Sequence, residues 1–134
     1  MIFRILYRLA PFSLAAYAAL LAALSLLPGS GPGILWDKLA HALAYGLFPL
    51  AGAPLALAPA AGNRPLMLLG AGAVAWGVGL EIAQYFVPGR VMSAADIAAN
   101  SIGVACGIGL LLLARRFMPW PNRLASEAES PELG

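Results

Sequence analysis

Ten side chains able to hold charge, pass a proton or donate a hydrogen bond stand in three groups along an otherwise apolar chain. Asp37, Lys38, His41 and Tyr45 come first, Glu81 and Gln84 next, and Arg90, Ser93, Asp96 and Asn100 last. Residues four apart on a helix lie about 40° apart around its axis and share a face. Asp37, His41 and Tyr45 therefore form one stripe, with Tyr45 about 12 Å below Asp37. Glu81 shares a stripe with Gly70, Val74, Gly77 and Tyr85, and Asp96 and Asn100 continue into Gly103 and Gly107. Small residues in such stripes let membrane helices approach closely, so the polar groups are expected to point between helices rather than into lipid.

Two kinds of chemistry suit these residue types. Lys38 and Arg90 are able to hold phosphate oxygens, Arg90 in bidentate geometry. Gln84, Ser93 and Asn100 would add neutral hydrogen bonds, with Asp37 and Tyr45 beside them as further ligand-binding residues. Alternatively, Glu81 and His41 are a candidate acid and base, with Asp96 orienting the imidazole or activating water. A divalent metal held by Asp37, His41, Glu81 and Asp96 is a permissible ligand set, but the spacing matches no metal signature. No metal and no other cofactor is assigned. There is neither a GxSxG serine nor an HExxH pair.

Each residue also has a plainer reading. Asp37 or Asp96 alone reads as a helix N-cap, His41 as hydrogen-bonded structure, and Trp76 as packing. Glu81 resists this, because it lies about 10 Å inside its helix end, where no cap explains it. It needs a cation, a proton or water, so a structural ion-pair network with Arg90, Lys38 or His41 is the competing explanation.

The surrounding chain decides what must position these groups. Of 134 residues, 61% are hydrophobic, with eight basic and six acidic residues and a net charge of +2. A soluble domain needs far more polar surface than this, so soluble-domain, nucleic-acid-binding and disordered readings are poor ones. The single cysteine, Cys106, allows no intramolecular disulfide. A spanning helix needs roughly 20 apolar residues. Four stretches qualify: about 9–27, 39–58, 66–87 and 94–114. Short connections at Pro28 to Gly33, Pro59 to Pro65 and Pro88-Gly89-Arg90 require neighbouring helices to run antiparallel. The expected fold is all-α, an antiparallel bundle of four transmembrane helices forming one membrane domain over residues 1–121. Residues 122–134, with Glu127, Glu129 and Glu132, are expected to be a disordered acidic tail.

The first apolar run is longer than a signal-peptide core and has no A-x-A-like site at its end, so it reads as a retained helix. Arg4, Arg8, Arg64, Arg115, Arg116 and Arg123 collect on one side, and Lys38 and Arg90 on the other. The positive-inside rule then places both termini in the cytoplasm and the polar residues other than Tyr45 at the opposite end. Trp36 at one boundary, and Phe117 and Trp120 at the other, fit interfacial anchors.

The combination Asp37-Lys38-x-x-His41-x-x-x-Tyr45, then Glu81-x-x-Gln84, then Pro88-Gly89-Arg90-x-x-Ser93-x-x-Asp96-x-x-x-Asn100-x-x-Gly103 resembles the VanZ-like family of small bacterial membrane proteins. The resemblance covers about Asp37 to Gly107, with the first helix contributing only its position. Family members often carry an aromatic after the histidine, where this chain has Ala42. The resemblance implies a multi-pass protein of the bacterial cytoplasmic (inner or plasma) membrane. It also implies a possible link to glycopeptide susceptibility, since the name-giving member is associated with teicoplanin resistance. Three functions stay open: binding or modifying an anionic lipid-linked phosphate of the cell envelope, acid–base or metal-dependent hydrolysis, and a membrane scaffold whose polar cluster is structural. The partners expected are membrane lipids and a lipid-linked precursor, with no nucleic acid.

Overall fold

The computed structural model describes residues 2–27, 34–58 and 62–117. The run Pro28 to Gly33, Trp120, Arg123 and the acidic tail lie outside the described residues. The elements are α1 (Ile2–Ser25), α2 (Ile34–Ala51), α3 (Ala53–Ala56), α4 (Arg64–Gln84) and α5 (Ala94–Phe117), with no strand among the described residues. Three helices are long and apolar enough to cross a membrane: Arg4–Ser25, Arg64–Gln84 and Ala94–Phe117. Their exposed faces carry Leu9, Phe12, Leu20, Leu68, Leu112 and Leu113, the surface expected against hydrocarbon rather than water.

The second apolar stretch departs from expectation. Its helix starts upstream, at Ile34, and ends at Ala51 instead of continuing to residue 58. Asp37, Lys38 and His41 occupy its first turns, so it falls outside the helices qualified by length and apolarity. Pro49 and Pro54 bring no N–H, which withdraws ladder bonds from the Tyr45 and Leu50 carbonyls. The chain turns at Gly52, whose N–H bonds Pro49 O at 3.1 Å, and resumes as the single turn α3. The Ala51 carbonyl freed at this break accepts the Ser13 hydroxyl of α1 at 2.8 Å. In an apolar setting such a break persists only where its polar groups are met inside the protein.

Paired contacts give the helix directions. Ser13 meets Ala51 and Tyr17 meets Ala44, so α1 and α2 run antiparallel. Trp76 donates to Ala18 O and Gln84 to Ser25 O, so α4 runs parallel to α1. Trp76 is thus not purely packing: it is 39% exposed and its indole N–H ties α4 to α1 at 3.2 Å.

The closest approach is between α2 and α5, far apart in sequence and parallel in space. A Cβ at Gly103 would run into the Ala42 carbonyl, and one at Gly107 into the Gly46 carbonyl. On the third side, a Cβ at Gly77 would lie 2.9 Å from the Tyr45 ring. Glycine at these positions lets the helices meet backbone to backbone. Below them Leu21, Tyr45, Phe48, Ala73, Leu80 and Val104 form the core. The far end is closed by Arg115, which donates to Ala56 O, to Gly62 O at 2.6 Å and to Asn63 Oδ1 at 3.3 Å. Arg115 therefore joins α5 to the α3–α4 connection as well as carrying charge.

Candidate functional site

The parallel pairing of α2 with α5 brings their first turns side by side, and antiparallel α4 delivers its last turn to the same end. Asp37 lies in the first turn of α2 and Asp96 in that of α5, where carboxylates are favoured by the helix dipole. The cap of α5 is not Asp96 but Ser93, whose hydroxyl oxygen accepts the Asp96 N–H at 3.3 Å. That frees the Asp96 carboxylate for the Lys38 ammonium. Lys38 also contacts Asp37 at 3.2 Å, so one ammonium bridges two carboxylates.

Glu81 is 1% exposed, and its Oε2 accepts the Ser93 N–H at 3.1 Å. This bond ties the end of α4 to the start of α5 across the loop. Oε1 faces His41 Nδ1 at 4.0 Å. The same ring nitrogen lies 3.0 Å from Asn100 Oδ1. His41 Nε2 lies 3.8 Å from Asp37 Oδ1. The imidazole thus stands between a buried carboxylate on α4 and a partly exposed one on α2. Among the described residues no buried side-chain nitrogen or oxygen lacks a partner.

The remaining residues face a cavity of about 250 Å³ between α1, α2 and α4. Asp37, His41, Tyr45, Gln84 and Arg90 supply its polar side, and Leu21 and Leu24 of α1 its apolar side. Gln84 is anchored by donating to Ser25 O at 3.0 Å, and Arg90 by donating from Nε to Leu27 O at 3.1 Å. Lys38, Ser93, Asp96 and Asn100 do not line this cavity. Lys38 instead borders an apolar groove on the other side of α2, with Trp36, Leu39, Ala42, Ala99 and Ile102.

The ten residues therefore divide into two linked parts. One is the paired network of Lys38, Asp96, Ser93, Glu81 and Asn100, and the other is the cavity wall, with Asp37 and His41 belonging to both. Asp37, His41 and Asp96 each offer a ligand atom within 4.8 Å of the others, a donor set suited to a divalent cation. The ammonium of Lys38 already meets both carboxylates, so a metal there would have to displace it. Glu81 stands outside that set, on Ser93 N and opposite His41.

Sequence reasoning missed the part played by the end of α1, where the carbonyls of Ser25 and, two residues past the helix, Leu27 hold Gln84 and Arg90. Backbone carbonyls leave no mark in side-chain pattern, and Ser25, just before the breaker run, was the one available cue. A sequence profile described as VanZ/LLP1 matches residues 2–115. Neither a curated protein nor a solved structure matches the chain.

Proposed function

The chain belongs to the VanZ/LLP1 family, and from that premise we propose that it is a four-pass membrane protein binding an anionic lipid-linked phosphate of the cell envelope. In this reading α2 with α3 forms the fourth pass beside the three apolar helices, in an antiparallel bundle over residues 1–121. Both termini lie on the cytoplasmic side of the bacterial cytoplasmic membrane, as the arginine distribution favours. The polar end then faces outward, where lipid headgroups meet the cavity.

The observation that carries the reading is the state of the two cations. Lys38 is spent between Asp37 and Asp96, whereas Arg90 is fixed through Nε alone. Its two Nη nitrogens meet no acceptor among the described residues, and the side chain lines the cavity. A guanidinium so presented suits a phosphate with two parallel hydrogen bonds. The test is native mass spectrometry of the detergent-purified protein with polyprenyl phosphates. Retention by the wild type and loss in Arg90→Ala, with the fold intact by circular dichroism, is expected. Equal retention by both overturns the reading. Because the name-giving member is associated with teicoplanin resistance, glycopeptide susceptibility of cells carrying or lacking the gene is the phenotype to follow.

A second reading is favoured by the completeness of the network. With every described buried side-chain polar atom partnered, the cluster also suits a scaffold that fixes helix register. A membrane-embedded hydrolase, with Glu81, His41 and Asp96 as acid–base groups, rests on Glu81 facing His41. Product formation lost in Glu81→Gln would favour it over both others.

A further inference from the structure

The binding reading leaves open where the hydrocarbon of a lipid-linked phosphate goes once its headgroup is in the cavity. Resting on that reading, we infer that the lipid tail leaves sideways between α1 and α2, so that the gap between these helices is a portal to the hydrocarbon of the membrane. The cavity wall is graded. Gln84 and Arg90 stand where α4 ends and the loop follows, whereas Leu21, Leu24, Ala40 and Ala44 line the side formed by α1 and α2. Leu21, Tyr45 and Gln84 are buried and make the inner wall. Leu24 and Ala40 line the same cavity and are exposed, Leu24 by 54%. The cavity therefore opens between these two residues.

The hydrogen bonds show how the gap is bounded. Ser13 donates to Ala51 O and Tyr17 to Ala44 O, each at 2.8 Å, and these tie α1 to α2. Among the described residues no hydrogen bond joins the two helices on the polar side of Ala44. The Tyr17 bond thus floors the gap, and the small side chains of Ala40 and Ala44 leave it unfilled. Exposed Leu20 lies one turn from Leu24, and exposed Leu43 and Leu47 follow Ala40 at helical spacing. They carry an apolar surface from the mouth away from the polar end. The cavity of about 250 Å³ is below the roughly 300–1,000 Å³ of ordinary small-molecule sites, so it holds a phosphate and the first carbons while the rest of a tail lies outside. Burial of those carbons adds affinity in proportion to apolar area, a gain that a free phosphate lacks. The apolar groove between α2 and α5, beside Trp36 and Ile102, offers no such pairing of anion site and tail. Lys38 is the cation that lines it, and its ammonium already bonds Asp37 and Asp96.

The probe is dodecyl phosphate carrying a diazirine close to the phosphate, photolysed with the full chain in a maltoside detergent, which brings no phosphate of its own. Attachment sites are mapped by peptide mass spectrometry. Labels are expected within residues 20–24 and 40–47. They should fall by about tenfold or more in Arg90→Ala, which removes the anion site, and in Ala40→Trp, which plugs the mouth. Ile102→Trp, which puts the same bulk beside the other groove, should leave them unchanged. Unlabelled dodecyl phosphate should displace the probe at a concentration where inorganic phosphate does not. The wild-type map is read independently of how any variant folds. Arg90-dependent labels confined to the groove between α2 and α5 overturn the portal and leave the phosphate reading standing. The same holds for Arg90-dependent labelling that Ala40→Trp leaves intact, or for inorganic phosphate displacing the probe as well as dodecyl phosphate does. Labelling that Arg90→Ala does not reduce overturns both.

Discussion

The Lys38 ammonium of α2 bonds the Asp96 carboxylate of α5, two residues 58 positions apart that a parallel helix pairing brings together. The carboxylate is 9% exposed and the lysine side chain 28%, so the pair sits between a surface bridge and a buried one. Removing one partner leaves a poorly hydrated charge, whereas removing both does not.

Lys38→Met is therefore expected to destabilise the protein by about 2 kcal/mol, between the values for exposed and buried pairs. Adding Asp96→Leu should recover part of that loss. Thermal unfolding in detergent of the two single variants and the double gives the coupling, and additive losses would place the pair among inert surface bridges.

The helix contact predicts a contrast between two glycines of α5. Gly103→Ala forces a methyl group onto the Ala42 carbonyl, whereas a Cβ at Gly109 meets nothing within 4 Å. The first should cost about 1–3 kcal/mol or more through overpacking, and the second should stay within about 0.5 kcal/mol. Yields of monodisperse protein and unfolding temperatures separate the two.

Glu81→Gln keeps an oxygen for the Ser93 N–H, and Glu81→Leu removes it. An unpaired buried N–H costs about 1–3 kcal/mol. The glutamine variant should unfold near the wild type and the leucine variant well below it, with increased hydrogen exchange at the start of α5.

Arg115→Ala should lower stability by about 1–2 kcal/mol, through the lost bonds to Ala56, Gly62 and Asn63. The phosphate binding proposed for the other end of the molecule should be unaffected. Arg115→Lys should restore only part of the stability, since an ammonium lacks the fork that reaches several acceptors.

Divalent cations and chelators should leave the unfolding temperature of the wild type unchanged, because Lys38 already bridges Asp37 and Asp96. A rise on adding Mn²⁺ would show that a metal displaces the lysine at Asp37, His41 and Asp96.

Much of this was determined by the sequence alone. An apolar chain with few charges has to form helices whose outer faces meet hydrocarbon, and helical spacing sets Asp37, His41 and Tyr45 on one stripe and Asp96 and Asn100 on another. Gly103 and Gly107 on the Asp96 stripe marked the face of closest approach, and the packing of α5 on α2 agrees. Only the tertiary structure decided which cation serves which acid. Periodicity is a property of one helix, whereas the lysine's two carboxylates depend on the parallel pairing of α2 with α5. The early end of the second helix was decided in part by each, the prolines being written in the sequence and the packing at Gly52 supplied by the fold. Its apolar run continues past Gly52, but Pro49, Pro54 and the close packing of Gly52 on Leu69 and Leu14 stop it at Ala51. The hold of Ser25 and Leu27 on Gln84 and Arg90 was equally invisible beforehand, because backbone carbonyls are common to all residues and become specific partners only when the chain folds.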